Sequence, residues 1–586
     1  MILDKSRQEN KIKLFLLPLF LPCINIELMN LLFLVLCSII LLLLGYYTYG
    51  IALAKWFKLS DANVTPAHCL RDNQDFVPTP KFYLVNQHLS AIAAAGPIVG
   101  PILAGMWFGW LPTFFWIVLG GIFIGGVHDF LSLLASVRHQ GRSIAEIIKE
   151  TMGQKAFIIF LLFLWFSLVY IIAAFTDVTS STFAEAQHGA SIASSSMLYL
   201  LLAFIMGLIL KIFKPPLMLA TFIFLPLVFV CIWLGPYLPL NLPSLFGLNL
   251  RMSWNIMLLA YCFMAAVIPV WVLLQPRGYL GGFFLTLTAV VSFIGLVIGS
   301  FTHTIAMQYP AFVSWNNPQG LPLLPLLFTT VACGACSGFH CLIASGTTSK
   351  QLNKESDVRF VAYGGMLMEC FVAVMALSCL IILSTTQAQE LKDPNQIFAH
   401  GVAAFISTLG INKEFALNFA LLAFATFVYD TLDVATRLGR YIFEELTGWK
   451  NKWSPYVAAA LTLVLPLWFL TRTFTDAQGN PIAGWKMFWT VFGSSNQLLA
   501  AMVLFGLAVW LFKLGQKFRV ALLPSVFMIV VAVSSLFLII RPWLGKILQG
   551  NFSADPVGLT CIALFILTGF LLIEGAVIFL KGKKNQ

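Results

Sequence analysis

Charge is scarce in this sequence. Only 10% of its 586 residues are Asp, Glu, Lys or Arg, against about 25% in soluble globular domains, and a water-solvated fold is excluded on that ground. No stretch has the composition of a separate soluble domain, a linker or a low-complexity tail. Histidine is rare too, with eight in the chain, and no His pairs recur as haem binding would need. Most cysteines, such as Cys37, Cys231, Cys262, Cys370 and Cys379, stand alone in apolar runs, where Cys acts as a small hydrophobe. With one cysteine cluster and no second, a membrane redox or metal enzyme is the distant alternative. An ion channel, usually a simpler pore module assembled symmetrically, fits so long a chain poorly.

What is abundant is apolar: 59% of residues, with a mean hydropathy of +0.89. In lipid every backbone N–H and C=O must be bonded within the protein, so each run of about 20 apolar residues reads as a spanning helix. The sequence predicts an all-α polytopic membrane protein with about 15 such helices (14–16): 28–54, 85–108, 111–137, 156–176, 195–211, 216–239, 254–274, 281–300, 321–348, 360–384, 414–436, 454–471, 484–512, 521–540 and 556–580.

Positive charge orients the body. With the first loop cytoplasmic, the cytoplasmic loops hold 24 of the 35 Lys and Arg and the external ones 7. The net charge of +11 is therefore a topology signal. Basic residues spread over many short loops make no nucleic-acid patch. The remaining four, Lys5, Arg7, Lys11 and Lys13, fall on the wrong side. They precede an apolar run with Pro18 and Pro22 that resembles a signal peptide without a small-residue cleavage site, so an uncleaved anchor is expected. The expected organisation is a tail and interfacial anchor at 1–27, a first helix and cytoplasmic loop at 28–84, a helical core at 85–512 and C-terminal helices at 513–586.

Several spans are interrupted. "HLSAIAAAGPIVGPILAG" (88–105) carries Pro97 and Pro101 behind Gly96 and Gly100; proline removes a helix hydrogen bond and frees backbone groups. In a membrane such groups belong where they line a cavity, and transporters use them to hold ions and solute. Interruptions recur at "IPVWVLLQPRGYLGG" (268–282), "ACGACSGFHCLIASGTTSKQL" (332–352), "FATFVYDTLDVATR" (424–437) and "WTVFGSSNQLLAAM" (489–502). The first two breaks, in the second and seventh spans, are five spans apart, the arithmetic of a five-plus-five inverted repeat. Cys333, Cys336, Cys341 and His340 have a zinc-like spacing, but on a continuous helix Cys341 points about 100° away from the others. All four converge only if the helix breaks. Gly334, Gly338 and Ser345 read instead as a small-residue seam for close helix approach.

These segments, with "TPA" (65–67), "DFVPTPKFYLVNQHLSAIAAAGPIVGPILA" (75–104), "GGVHDF" (125–130), "YGGMLMECFVA" (363–373), "DVATR" (433–437) and "FGSSNQLLA" (492–500), resemble the carbon starvation protein A family of peptide and pyruvate transporters. The resemblance runs from about Val64 to Phe512. It implies the amino acid, polyamine and organocation superfamily core and uptake of a small nutrient, peptide or pyruvate, across a bacterial inner membrane when carbon is scarce. Members often carry an aspartate where this chain has Gly278, which puts an ion pair of Arg277 with that neighbour in doubt. A long insertion between the spans ending near 384 and starting near 414 is nearly absent here.

Ionisable side chains within spans are costly and default to functional candidates. Here they are His88, His128, Asp129, Arg277, His340, Glu369, Asp430, Asp433 and Glu574, the last outside the strong resemblance. For solute, the loosened backbone at Gly96, Pro97 and Gly100 offers N–H groups, Arg277 a cation for a carboxylate, and Asn496 and Gln497 the donors and acceptors a peptide bond requires; His88 and His340 join this set. For coupling, Asp129, Glu369 and His340 suit a proton, and the hydroxyls of Ser345, Thr347 and Thr348 suit Na⁺. Asp129 is either a proton relay or a partner for Arg277 or Arg437. Asp433 is either a coupling site or the i, i+4 ion-pair partner of Arg437. No metal and no cofactor is expected. The partners are a small-molecule substrate and the lipid bilayer, and the sequence fixes no oligomeric state.

Overall fold

The computed structural model describes residues 30–72, 75–93, 95–269, 271–449, 451–472, 474–475, 481–482, 484–549 and 556–584. The tail expected at 1–27 and the side chain of Asp430 lie outside the described parts. Among the described residues, each expected span is built from helix, the 321–348 run in two pieces. In order the main helices are α1 (Leu31–Trp56), α2 (Lys81–Ile92), α3 (Gly96–Phe108), α4 (Trp110–Arg138), α5 (Gln154–Phe183), α6 (Gly189–Ile212), α7 (Leu217–Tyr237), α8 (Leu250–Val267) and α9 (Leu274–Phe301). They continue with α10 (Leu323–Thr330), α11 (Phe339–Gly346), α12 (Glu355–Ile381), α13 (Pro394–Ser407), α14 (Lys413–Thr447), α15 (Ser454–Leu470), α16 (Gly484–Lys513), α17 (Arg519–Leu548) and α18 (Pro556–Lys584).

Among the described residues, 12 helices are long and apolar enough to cross a membrane, or 13 if the bent pair α2–α3 is one span. The expected count of about 15 came from hydropathy alone. Its other two runs are α15, which has 17 residues, and the 321–348 run, which residues 331–338 divide into α10 and α11.

The interruptions differ in kind. α2 and α3 meet at 50°, and the bend lies ahead of Pro97 rather than at it. Pro97 stands in the first turn of α3, where a missing N–H costs nothing, and Pro101 sits inside α3 without ending it. The 268–282 segment is no broken span: its irregular part is the connection between α8 and α9. The second broken span is α10–α11.

That correction moves the repeat and sharpens it. One set is α2–α3, α4, α5, α8 and α9, with α6 and α7 inserted; the other is α10–α11, α12, α14, α15 and α16. Their first members are an odd number of crossings apart, so the sets run in opposite directions. Contacts are reciprocal: α3 packs on α12 and α11 on α4, α5 packs on α14, α8 on α15, α2 on α9, and α10 and α11 on α16. Both second helices carry a five-residue π-helical stretch, at Gly121–Gly125 and Arg359–Tyr363. The Tyr363 hydroxyl donates to the Ile122 carbonyl at 3.1 Å, so a side chain of one stretch satisfies the loosened backbone of the other.

Side chains close several helix ends. Asn249 accepts from the Met252 N–H, starting α8, and Asn412 accepts from those of Glu414 and Phe415, starting α14. Between α12 and α14, where the sequence shows only a short connection, Thr385–Leu391 and α13 lie along the body.

Candidate substrate and ion-coupling site

The unwound segment 331–338 would leave buried polar backbone groups, each expensive without a partner. α16 supplies them. Asn496 Oδ1 accepts from the Phe339 N–H at 3.0 Å, and its amide donates to Ser337 Oγ at 3.0 Å. The Gln497 amide donates to the carbonyls of Phe328 (3.1 Å) and Cys336 (3.2 Å), while its Oε1 has no hydrogen-bond partner among the described residues. Gly338 makes this bracing possible: a Cβ there would lie 2.5 Å from Ala500 N. The two breaks also meet. A Cβ on Gly100 would lie 2.6 Å from the Thr330 carbonyl oxygen, and one on Gly96 would strike the Cys333 side chain. Asn496 and Gln497 thus engage the break itself. Cys333 is what a side chain at Gly96 would meet.

Just beyond the break, the first turn of α11 carries His340 into a chain of ionisable groups. His340 Nδ1 is 2.8 Å from Asp129 Oδ2, and His340 Nε2 is 3.2 Å from Glu369 Oε2. The other Asp129 oxygen is 2.8 Å from His128 Nδ1. Asp129, His340 and Glu369 are each 0% exposed. They come from α4, α11 and α12, so both halves contribute. The His340–Glu369 contact is close but off the hydrogen-bonding line, and both Glu369 oxygens lack a hydrogen-bond partner among the described residues. Asp129 is therefore no partner of Arg277 or Arg437.

A second ionic centre lies on α9 and α14. Arg277 pairs with Asp433, and each is 1% exposed. Tyr261 on α8 donates to Asp433 Oδ2 at 2.7 Å. The expected Asp433–Arg437 local pair does not form: Arg437 donates instead to the carbonyls of Ala265 and Ile268, closing the C-terminal end of α8. The i, i+4 spacing lost to a cation that the fold brings from α9.

His88 borders the second centre. Its Nδ1 is 2.9 Å from Thr348 Oγ1, and its Nε2 has no hydrogen-bond partner among the described residues. His88, Arg277, Thr347, Thr348 and Asp433 line one cavity of about 90 Å³. Gln87, Gln275, Thr347 and Val434 line both that cavity and one of about 480 Å³, which Ser345, Lys350 and Arg437 also border. The Ser345 hydroxyl donates to the Cys341 carbonyl and accepts from the Ile144 N–H; Thr347 donates to Ile343. The cysteines do not assemble with His340: Cys333 contacts Ser337 and Asn496, and the His340 nitrogens face carboxylates. Glu574 is half-buried on the peripheral α18.

Three groups escaped the sequence reading. Tyr261 is an ordinary aromatic in an apolar run. Glu355, fully buried, meets Arg138 at 2.7 Å and accepts from the Ser60 N–H at 3.0 Å. Asp177 receives Arg251 Nε at 2.8 Å, a guanidinium nitrogen of the same Arg251 at 2.6 Å and the Trp485 N–H at 2.6 Å, tying the ends of α5, α8 and α16.

Two broken spans crossing at their breaks, an inverted pair of five-helix sets and buried ionisable groups beside a cavity define a secondary transporter, a multi-pass integral protein of the inner membrane. A profile of the family described as carbon starvation protein CstA matches residues 30–397 and 385–535. The chain belongs to that family. It is 33% identical over 567 residues to the peptide transporter CstA of Helicobacter pylori, covering 85% of this chain and 80% of the relative. It is 30% identical over 590 residues to the pyruvate/proton symporter BtsT of Escherichia coli, covering 85% of this chain and 80% of the relative. Among solved structures, a manganese transporter of Eremococcus coleocola is similar with a TM-score of 0.47 and 13% identity, over 88% of this chain and 99% of that one.

Proposed function

We propose that this transporter imports small carboxylate-bearing nutrients, peptides first, together with protons. The observation that carries the coupling ion is His340 set between Asp129 and Glu369, with all three side chains at 0% exposure. Buried charge is tolerated only when paired, so a group that gains or loses a proton there must alter its partners. His340 stands on the broken helix α11 and its partners on α4 and α12, which pack against α11 and α3 respectively. Protonation is in this way linked to the arrangement of the two halves. The Ser345, Thr347 and Thr348 hydroxyls, engaged as described, support Na⁺ less well.

For solute, Arg277 with Asp433 faces the 90 Å³ cavity, and a carboxylate competes with Asp433 for the same guanidinium. The adjoining 480 Å³ falls in the range of small-molecule pockets, about 300–1,000 Å³, and suits a peptide. A second reading, symport of pyruvate with protons, is favoured by the small volume at Arg277 itself and by the similarity to BtsT. Uptake of labelled alanyl-alanine and of labelled pyruvate into proteoliposomes under an inward proton gradient tests both. Accumulation of either supports the coupling, and the better substrate decides the order.

A further inference from the structure

A third cavity lies outside both ionic centres. It encloses about 580 Å³ between the end of α6, the α8–α9 connection and the last turns of α14. Its charged walls are Lys211, Arg437 and Arg440, with Asp75 the acid at its margin. Arg440 is only 7% exposed, yet it makes no ion pair among the described residues and its Nε has no hydrogen-bond partner. Its guanidinium rests 4.4 Å from the Tyr441 ring centre. Arg437 gives one nitrogen to the Ala265 and Ile268 carbonyls, and its Nε too is without a hydrogen-bond partner among the described residues. Lys211 lies over Trp271 at 5.2 Å.

A buried guanidinium without a counter-ion is costly, and its planar fork matches a carboxylate. The cavity is also continuous with the solute path. It shares Asp75, Gln275, Arg437 and Tyr441 with the 480 Å³ cavity, which in turn reaches Arg277. We propose that Lys211, Arg437 and Arg440 form a second carboxylate site, on the cytoplasmic side of Arg277 and Asp433, where the solute docks as it leaves. This rests on the reading that the chain carries a carboxylate-bearing solute. Inorganic phosphate and an anionic lipid headgroup offer the same oxygen chemistry, but continuity with the solute path favours the solute.

The test is equilibrium binding, without any gradient, of labelled alanyl-alanine and labelled pyruvate to the purified full chain in nanodiscs. Wild type, R440Q, R440K and K211Q are compared, with inorganic phosphate and phosphatidylglycerol as competitors in separate arms. R440Q is expected to weaken binding about tenfold, the loss of one charged hydrogen bond. R440K should recover part of it, K211Q should weaken it less, and the competitors should displace the probe poorly. Equal affinity in wild type, R440Q and K211Q, no binding of either probe to wild type, or preferential displacement by phosphate or phosphatidylglycerol would each overturn the site. Arg440-dependent binding without gradient-driven accumulation in proteoliposomes would sink the transport reading and leave the site standing. Accumulation with unchanged binding in R440Q would do the reverse.

Discussion

Glu369 on α12 lies 3.2 Å from His340 on α11, and neither side chain has any exposed surface. The contact joins the second helix of one half to the broken helix that opens the same half, and through Asp129 it reaches the other half. A proton moving within it changes what holds the halves together. Glu369→Gln and Asp129→Asn are expected to cut proton-driven accumulation at least about tenfold, as loss of a proton-transfer group does, while solute exchange across the membrane persists. Exchange and accumulation measured side by side in proteoliposomes check this. Full accumulation in both variants would remove these residues from coupling.

Arg277 and Asp433 form a buried pair between the two halves. Removing one partner strands the other, at a cost of about 3–5 kcal/mol. Arg277→Met alone should lower the thermal midpoint markedly. The double variant with Asp433→Leu should regain most of that loss and still fail in uptake. A double variant with normal uptake would make the pair a structural anchor.

Gly338 touches the backbone of α16. Gly338→Val is expected to separate the unwound segment from Asn496 and Gln497, with overpacking of about 1–3 kcal/mol added to unsatisfied backbone groups. The readout is the yield of monodisperse protein and its thermal midpoint. A variant as stable as wild type would mean that the break does not depend on this approach.

The fold was largely legible because hydropathy marks helices directly: among the described residues each expected span holds a helix, the 321–348 run being two short ones with a break between them. The breaks were harder. Proline drew attention to 268–282, where the chain merely passes between α8 and α9, whereas the 331–338 break contains no proline and is held open by amides on α16. Hydropathy also ends where charge begins, although the helix continues. The expected spans stop at 176 and 436, but α5 runs to Phe183 and α14 to Thr447. Asp177 was thereby lost, and Arg440 was read only as a topology signal. Asp129, His340 and Glu369 were found singly, because an ionisable group in an apolar run is conspicuous by itself. Their convergence depends on how α4, α11 and α12 pack, which no local pattern records.

Asp177 gives a prediction from the part the sequence concealed. Asp177→Asn removes a bidentate charged contact and weakens the bond to the Trp485 N–H, with an expected loss of about 1.5–3 kcal/mol. A fall in thermal midpoint, repeated in Arg251→Gln and not enlarged in the double variant, is the expected pattern. Additive losses would show that the two residues act separately.

Proton coupling is the central claim, and lumenal pH reports it most directly. Proteoliposomes containing a trapped pH indicator, equilibrated with no gradient of any ion, receive external alanyl-alanine or pyruvate. The account predicts acidification of the lumen by at least one of the two in the wild type, abolished by Glu369→Gln. Solute uptake with an unchanged lumenal pH, or uptake that follows Na⁺ alone, would contradict it.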